Sequence, residues 1–121
     1  MLPFRRPAPS APSDPPDVDP PDVDPLDVAR ALEAGPGILL DVREPREWAA
    51  GHAPDSRHVP LGAVVAAAST LPSDIPVYVI CHSGNRSRLA AELLRRQGVS
   101  GAVNVRGGLL AWHRAGLPLE A

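Results

Sequence analysis

Two continuous apolar runs stand out along the chain, Ile38-Leu39-Leu40-Asp41-Val42 and Val77-Tyr78-Val79-Ile80. Neither alternates apolar with polar residues, so both predict strands buried on two faces. Ala102-Val103-Asn104-Val105 predicts a further strand, and His58-Val59-Pro60 a very short one. Helical signals fill the intervals. Asp24 before Pro25 fits an N-cap and a proline at the first helical position, with Asp27 near the capping-box position. That helix would run through Val28, Ala29, Ala31 and Leu32 to about Ala34, ended by Gly35-Pro36. Glu44 to Ala50 predicts a short helix closed by Gly51, and Leu61 to about Thr70 an Ala- and Val-rich one. Arg88 to Arg96 predicts a helix with Leu89, Ala90, Leu93 and Leu94 as its core stripe, stopped by Gly98. Gly107-Gly108 makes a turn into a last helix holding Leu109, Leu110, Trp112 and His113, stopped by Gly116 and Pro118. Apolar strands alternating with helices predict an α/β fold, a small and mostly parallel sheet with helices on both faces.

Composition changes the picture at the N-terminus only. Nine of the 16 prolines fall in residues 1–25, and Asp14-Pro15-Pro16-Asp17-Val18 recurs as Asp19-Pro20-Pro21-Asp22-Val23. Pro and Asp at that density leave few donors and little surface to bury, which predicts a disordered tail over 1–23 and a folded domain over 24–121. The tail also carries the net charge of −2, leaving the rest close to neutral. Neither part predicts a nucleic-acid partner. No stretch reaches the roughly 18 apolar residues of a membrane span, and Met1 to Pro7 lacks the apolar segment of a secretion signal. A single cysteine excludes an internal disulfide and a cysteine-rich metal cage, and points to a reducing, cytoplasmic setting.

That cysteine, Cys81, follows the strand Val77–Ile80 directly and precedes the polar loop His82-Ser83-Gly84-Asn85-Arg86-Ser87. A lone cysteine at a strand end is commonly an inert small hydrophobe. Here the loop leads into a helix, whose unpaired N–H groups and dipole favour an anion. Cysteines so placed have pKa values of roughly 3.5–7.5, and the thiolate is the nucleophile. Ligands of parallel α/β sheets bind beyond the carboxyl ends of the strands, where both Cys81 and Asp41 fall.

From about residue 25 onward the chain resembles a single rhodanese (sulfurtransferase) domain. Four blocks in order carry the resemblance: Leu40 to Trp48 with Gly51-His52; His58-Val59-Pro60-Leu61; Val77 to Leu94; and Asn104 to Leu109 with Trp112 and Gly116-Leu117-Pro118. Ala53 stands where a larger aliphatic is usual, and Asp55-Ser56 where Gly-Ala is common, departures that touch packing and not chemistry.

The resemblance implies a three-layer rhodanese-like fold and a two-step covalent reaction needing no cofactor or metal. The Cys81 thiolate would take the outer sulfur of thiosulfate or a persulfide donor and pass it to cyanide or a thiol, small or on a protein. Backbone N–H groups of 82–87, with Gly84 giving the freedom for a tight path, would cradle the anionic sulfur. Arg86 would be the counter-charge for the donor and for departing sulfite, and Ser87 would cap the helix and donate toward the sulfur. His82, at the mouth, would orient the donor, with Ser83 and Asn85 completing the substrate-binding loop. Asp41 and Arg43 would support the loop structurally, Glu47 would pair with Arg43 or Arg46, and His52 would brace a turn. Trp48 and Trp112 would serve packing. The stretch from Cys81 to Arg86 is six residues long. Cell-cycle phosphatases of this fold have one residue more, so the count favours sulfur over phosphoryl transfer or arsenate reduction. A sulfur-relay carrier delivering to a partner protein is the alternative, and a monomer or weak dimer is expected.

Overall fold

The structure, a computed structural model, describes residues 18–121. A five-stranded sheet, parallel at every pairing, has the order β1-β5-β4-β2-β3. Its strands are β1 (Asp22–Val23), β2 (Ile38–Asp41), β3 (Arg57–His58), β4 (Val77–Ile80) and β5 (Ala102–Val105). The helices are α1 (Pro25–Ala34), α2 (Pro45–Ala50), α3 (Val64–Ala67), α4 (Asn85–Arg96) and α5 (Gly108–Arg114). The stretch expected as one helix over 61–70 is a single α turn between the 3-10 turns Leu61–Ala63 and Ala68–Thr70.

Successive residues of a strand point to opposite faces, which divides the core in two. Leu40, Val79 and Cys81 pack with Val64, Ala90 and Leu94 beneath α3 and α4. Leu39, Tyr78 and Ile80 pack with Val28, Leu109 and Trp112 beneath α1 and α5. Every residue of β2 and β4 is buried, as strands covered on both faces must be. Leu89, expected in the core stripe, is 46 % exposed, because the face of α4 turned to the sheet is Ser87, Ala90, Ala91 and Leu94.

The fold begins before residue 24. Pro21 and Val23 carbonyls accept from the Asn104 and Arg106 amides at 2.9 Å each, making 22–23 an edge strand. A proline cannot donate to a ladder, but at the start of an edge strand it is not required to. Asp19 and Asp22 of the second repeat pair with Arg88, and Asp24 just after it pairs with Arg106, which ties this segment to α4 and to the end of β5. Residues 1–17 of the expected tail lie outside the described residues. Among the described residues, no helix is long and apolar enough to cross a membrane.

Candidate active site

Cys81 ends β4 and is 1 % exposed. Gly84, two residues into the loop after His82, adopts φ 107°, a left-handed conformation costly for a side chain. That turn starts α4 at Asn85, three residues earlier than the apolar pattern implied. Arg86 and Ser87 therefore sit in the first helical turn, not in an open loop. The Gly84 N–H donates to Cys81 Sγ at 3.1 Å, and the Ser87 hydroxyl lies 3.3 Å from it. Burial alone would push the Cys81 thiol up. Donation from the Ser87 hydroxyl and from the Ser87, Gly84 and Ser83 backbone N–H groups outweighs it, leaving the thiol below its ordinary value.

Ser87 does not cap the helix. No side chain caps α4; the single proton of the Ser87 hydroxyl has two acceptors within reach, Cys81 Sγ at 3.3 Å and Asn104 Oδ1 at 2.6 Å. His82, Ser83 and Asn85 are exposed around the buried Cys81, Gly84 and Ser87. The far side of the loop is held by α5. The Leu109 and Leu110 amides donate to the Cys81 and His82 carbonyls at 2.8 and 3.1 Å. At Gly108, with φ 60°, a Cβ would stand 2.5 Å from the His82 carbonyl oxygen and 2.6 Å from that of Cys81.

Arg86 is engaged end-on by Glu47 of α2, with guanidinium nitrogens 2.6 and 2.9 Å from the two carboxylate oxygens. The hydrogen bond from Arg86 lowers the Glu47 carboxyl to about 2, against the smaller opposing effect of burial. Glu47 thus pairs with neither Arg43 nor Arg46. Its partner is 39 residues away, and no local spacing points to it. Glu47 also accepts from the Glu44 amide at 2.9 Å, which seats it in the first turn of α2.

Asp41 and Arg43 form a separate, buried pair with Nε and Nη2 of the arginine 2.9–3.0 Å from the carboxylate. Arg43 Nη2 also donates to the Gly51 carbonyl at 2.6 Å, tying the end of α2 to the end of β2. The Trp48 ring stacks with the His52 and His58 rings, at centroid distances of 3.5 and 4.9 Å. His52 braces this turn through Nδ1, 2.8 Å from the Trp48 carbonyl.

Compared with known proteins, residues 24–115 match the rhodanese-like domain model. The chain belongs to the rhodanese-like family. A sulfurtransferase of Allochromatium vinosum is 40 % identical to this rhodanese-like chain over 84 residues, 69 % of this chain and 78 % of that protein. YrkF of Bacillus subtilis (strain 168), provisionally named a sulfur carrier protein, is 42 % identical over 61 % of this chain and 40 % of its own length. The crystal structure of a rhodanese-related protein of Thermoplasma volcanium superimposes with a TM-score of 0.75 at 32 % identity, covering 83 % of this chain and 97 % of that one. The rhodanese-like fold expected from the four sequence blocks is the fold observed.

Proposed function

We propose that this rhodanese-like domain is a sulfurtransferase that moves sulfane sulfur from thiosulfate or a persulfide donor, through a persulfide on Cys81, to a thiol or cyanide. The observation that carries the reading is the donor set on a buried sulfur. The Gly84 amide at 3.1 Å and the Ser87 hydroxyl at 3.3 Å converge on Sγ at a helix start. The thiolate attacks the outer sulfur of thiosulfate, a sulfur–sulfur bond forms at Cys81, and sulfite leaves with the electron pair of the bond that breaks. An acceptor thiolate then attacks the terminal sulfur, and Cys81 leaves as the thiolate. The same N–H groups stabilise the anion at each end of the cycle, without a metal.

In this reading His82, Ser83 and Asn85 meet the donor at the rim, and Gly84 and Ser87 serve the sulfur. Arg86 attracts the anionic donor and the departing sulfite. Asp41 and Arg43 hold the end of β2 and α2 in place. The sulfurtransferase relative from Allochromatium vinosum supports the activity class. The similarity to YrkF favours a second reading, a carrier that hands loaded Cys81 to a partner protein.

Thiosulfate should add one sulfur atom to the intact mass, and cyanide should remove it; no adduct sinks the proposal. Multiple turnovers with a small thiol distinguish the enzyme from a carrier that loads once and awaits a protein. Cys81-dependent hydrolysis of an aryl phosphate would instead favour phosphoryl transfer and overturn the argument from loop length.

A further inference from the structure

We infer that Asn104 is a positioning residue for Cys81: held in one orientation by Asp22, it competes with the sulfur for the Ser87 hydroxyl and restrains thiolate formation. Asn104 lies in β5, 4 % exposed, paired in register with Asp22 of β1. One side-chain atom of Asn104 is 2.9 Å from Asp22 Oδ1. A carboxylate only accepts, so that atom is the amide nitrogen, and the amide oxygen must face the other way. The oxygen is 2.6 Å from Ser87 Oγ and can itself only accept, so the hydroxyl donates to it.

Ser87 has one hydroxyl proton and two claimants for it. With Cys81 as a thiol, both are satisfied: the S–H donates to Ser87 Oγ, and Ser87 donates to Asn104. With Cys81 as a thiolate, they conflict. If the hydroxyl turns to sulfur, a buried amide oxygen loses its donor; if it stays, an oxygen lone pair faces an anion. Either outcome costs free energy, because a buried acceptor without a donor bears its full desolvation penalty. Asn104 thus works against the backbone N–H groups that favour the anion.

The charged groups near the sulfur are paired among themselves. Arg86 of α4 meets Glu47 of α2, Arg88 of α4 meets Asp19 and Asp22, and Asp41 meets Arg43 at the end of β2. His82 follows Cys81 at the exposed rim. Replacing Asn104 by an apolar residue changes none of these charges.

Cys81 is the sole thiol, so the far-ultraviolet absorbance of its thiolate can be titrated in the full chain with Cys81→Ser as the blank. Asn104→Leu should lower the titration midpoint by about one pH unit, the scale of one hydrogen bond to a charged group. In a Ser87→Ala background the same substitution should leave the midpoint in place, because no hydroxyl remains to redirect. An unchanged or raised midpoint in the single variant overturns the inference, as does an equal fall with and without Ser87. Asn104→Val, better suited to a strand, gives the same reading should the leucine form fail to fold. The measurement involves no sulfur donor, so it stands or falls separately from the proposed sulfurtransferase activity.

Discussion

Arg86 and Glu47, 39 residues apart, meet end-on with nitrogen–oxygen distances of 2.6 and 2.9 Å. The residue expected to supply a bare positive charge to the donor is thereby paired with an ionised carboxylate and fixed in direction. Both outer nitrogens are engaged by the carboxylate, which fixes the plane of the guanidinium next to the loop instead of leaving a freely moving side chain. α2, which contributes nothing to the loop in sequence, is part of the site because it carries Glu47.

Arg86→Ala should lower kcat/KM for thiosulfate about ten- to a hundredfold, the range for losing a hydrogen bond to a charged group. Arg86→Lys should restore only part of it, because an ammonium cannot reproduce the fork. Steady-state kinetics with thiosulfate and cyanide test both; an unchanged kcat/KM for the alanine form removes Arg86 from the site.

The same pair predicts an acid dependence of stability. The Glu47 carboxyl titrates at about 2 in the fold against an ordinary 4.5. A depressed folded value means that its contribution is complete above the unfolded value and is lost as pH falls toward the folded one. Wild type should therefore exceed Glu47→Gln in stability near neutrality, with the gap closing between pH 4.5 and 2. Denaturant melts across that range show it, and a constant gap contradicts it.

Cys81 should titrate below an ordinary thiol, and sulfur loading should follow the thiolate fraction. Ser87→Ala should raise the midpoint by less than about one unit, because the hydroxyl is shared with Asn104. The folded value is again the lower one, so the stabilisation is complete above the unfolded thiol's 9.0 and fades as pH falls through the folded value. Wild type should accordingly gain stability over Cys81→Ser as pH rises toward 9.0, and parallel pH–stability curves contradict the shift.

Asp41→Ala leaves Arg43 buried without its carboxylate, and should destabilise the fold by about 3–5 kcal/mol. Urea denaturation measures it. A loss under about 1 kcal/mol would mean that Arg43 finds another partner or reaches water.

Gly108→Ala should cost about 1–3 kcal/mol through its left-handed φ and the approach to the Cys81 and His82 carbonyls. Because those carbonyls form the floor of the loop, kcat should fall with it; Gly116→Ala, with no atom within 4 Å of the added carbon, isolates the effect of φ alone.

The sequence by itself marked the strands β2, β4 and β5, the alternation of strands with helices, and Cys81 as the candidate nucleophile. Uninterrupted runs such as Val77–Ile80 are short, β-rich and without a polar face, which marks them as strands covered on both sides and sets the thiol that follows at the sheet's carboxyl edge. The pairings 39 and 82 residues apart were decided by tertiary structure, because they depend on how strands align and not on spacing along the chain. Glu47 was legible as an acidic helix residue, but its partner was not. Asp22 belonged to a Pro-rich repeat whose composition suggested a tail; the open edge of β5 turned it into a strand. Asn104 looked like one polar residue in an apolar strand, and only the parallel register that sets it between Asp22 and Ser87 connects it to Cys81.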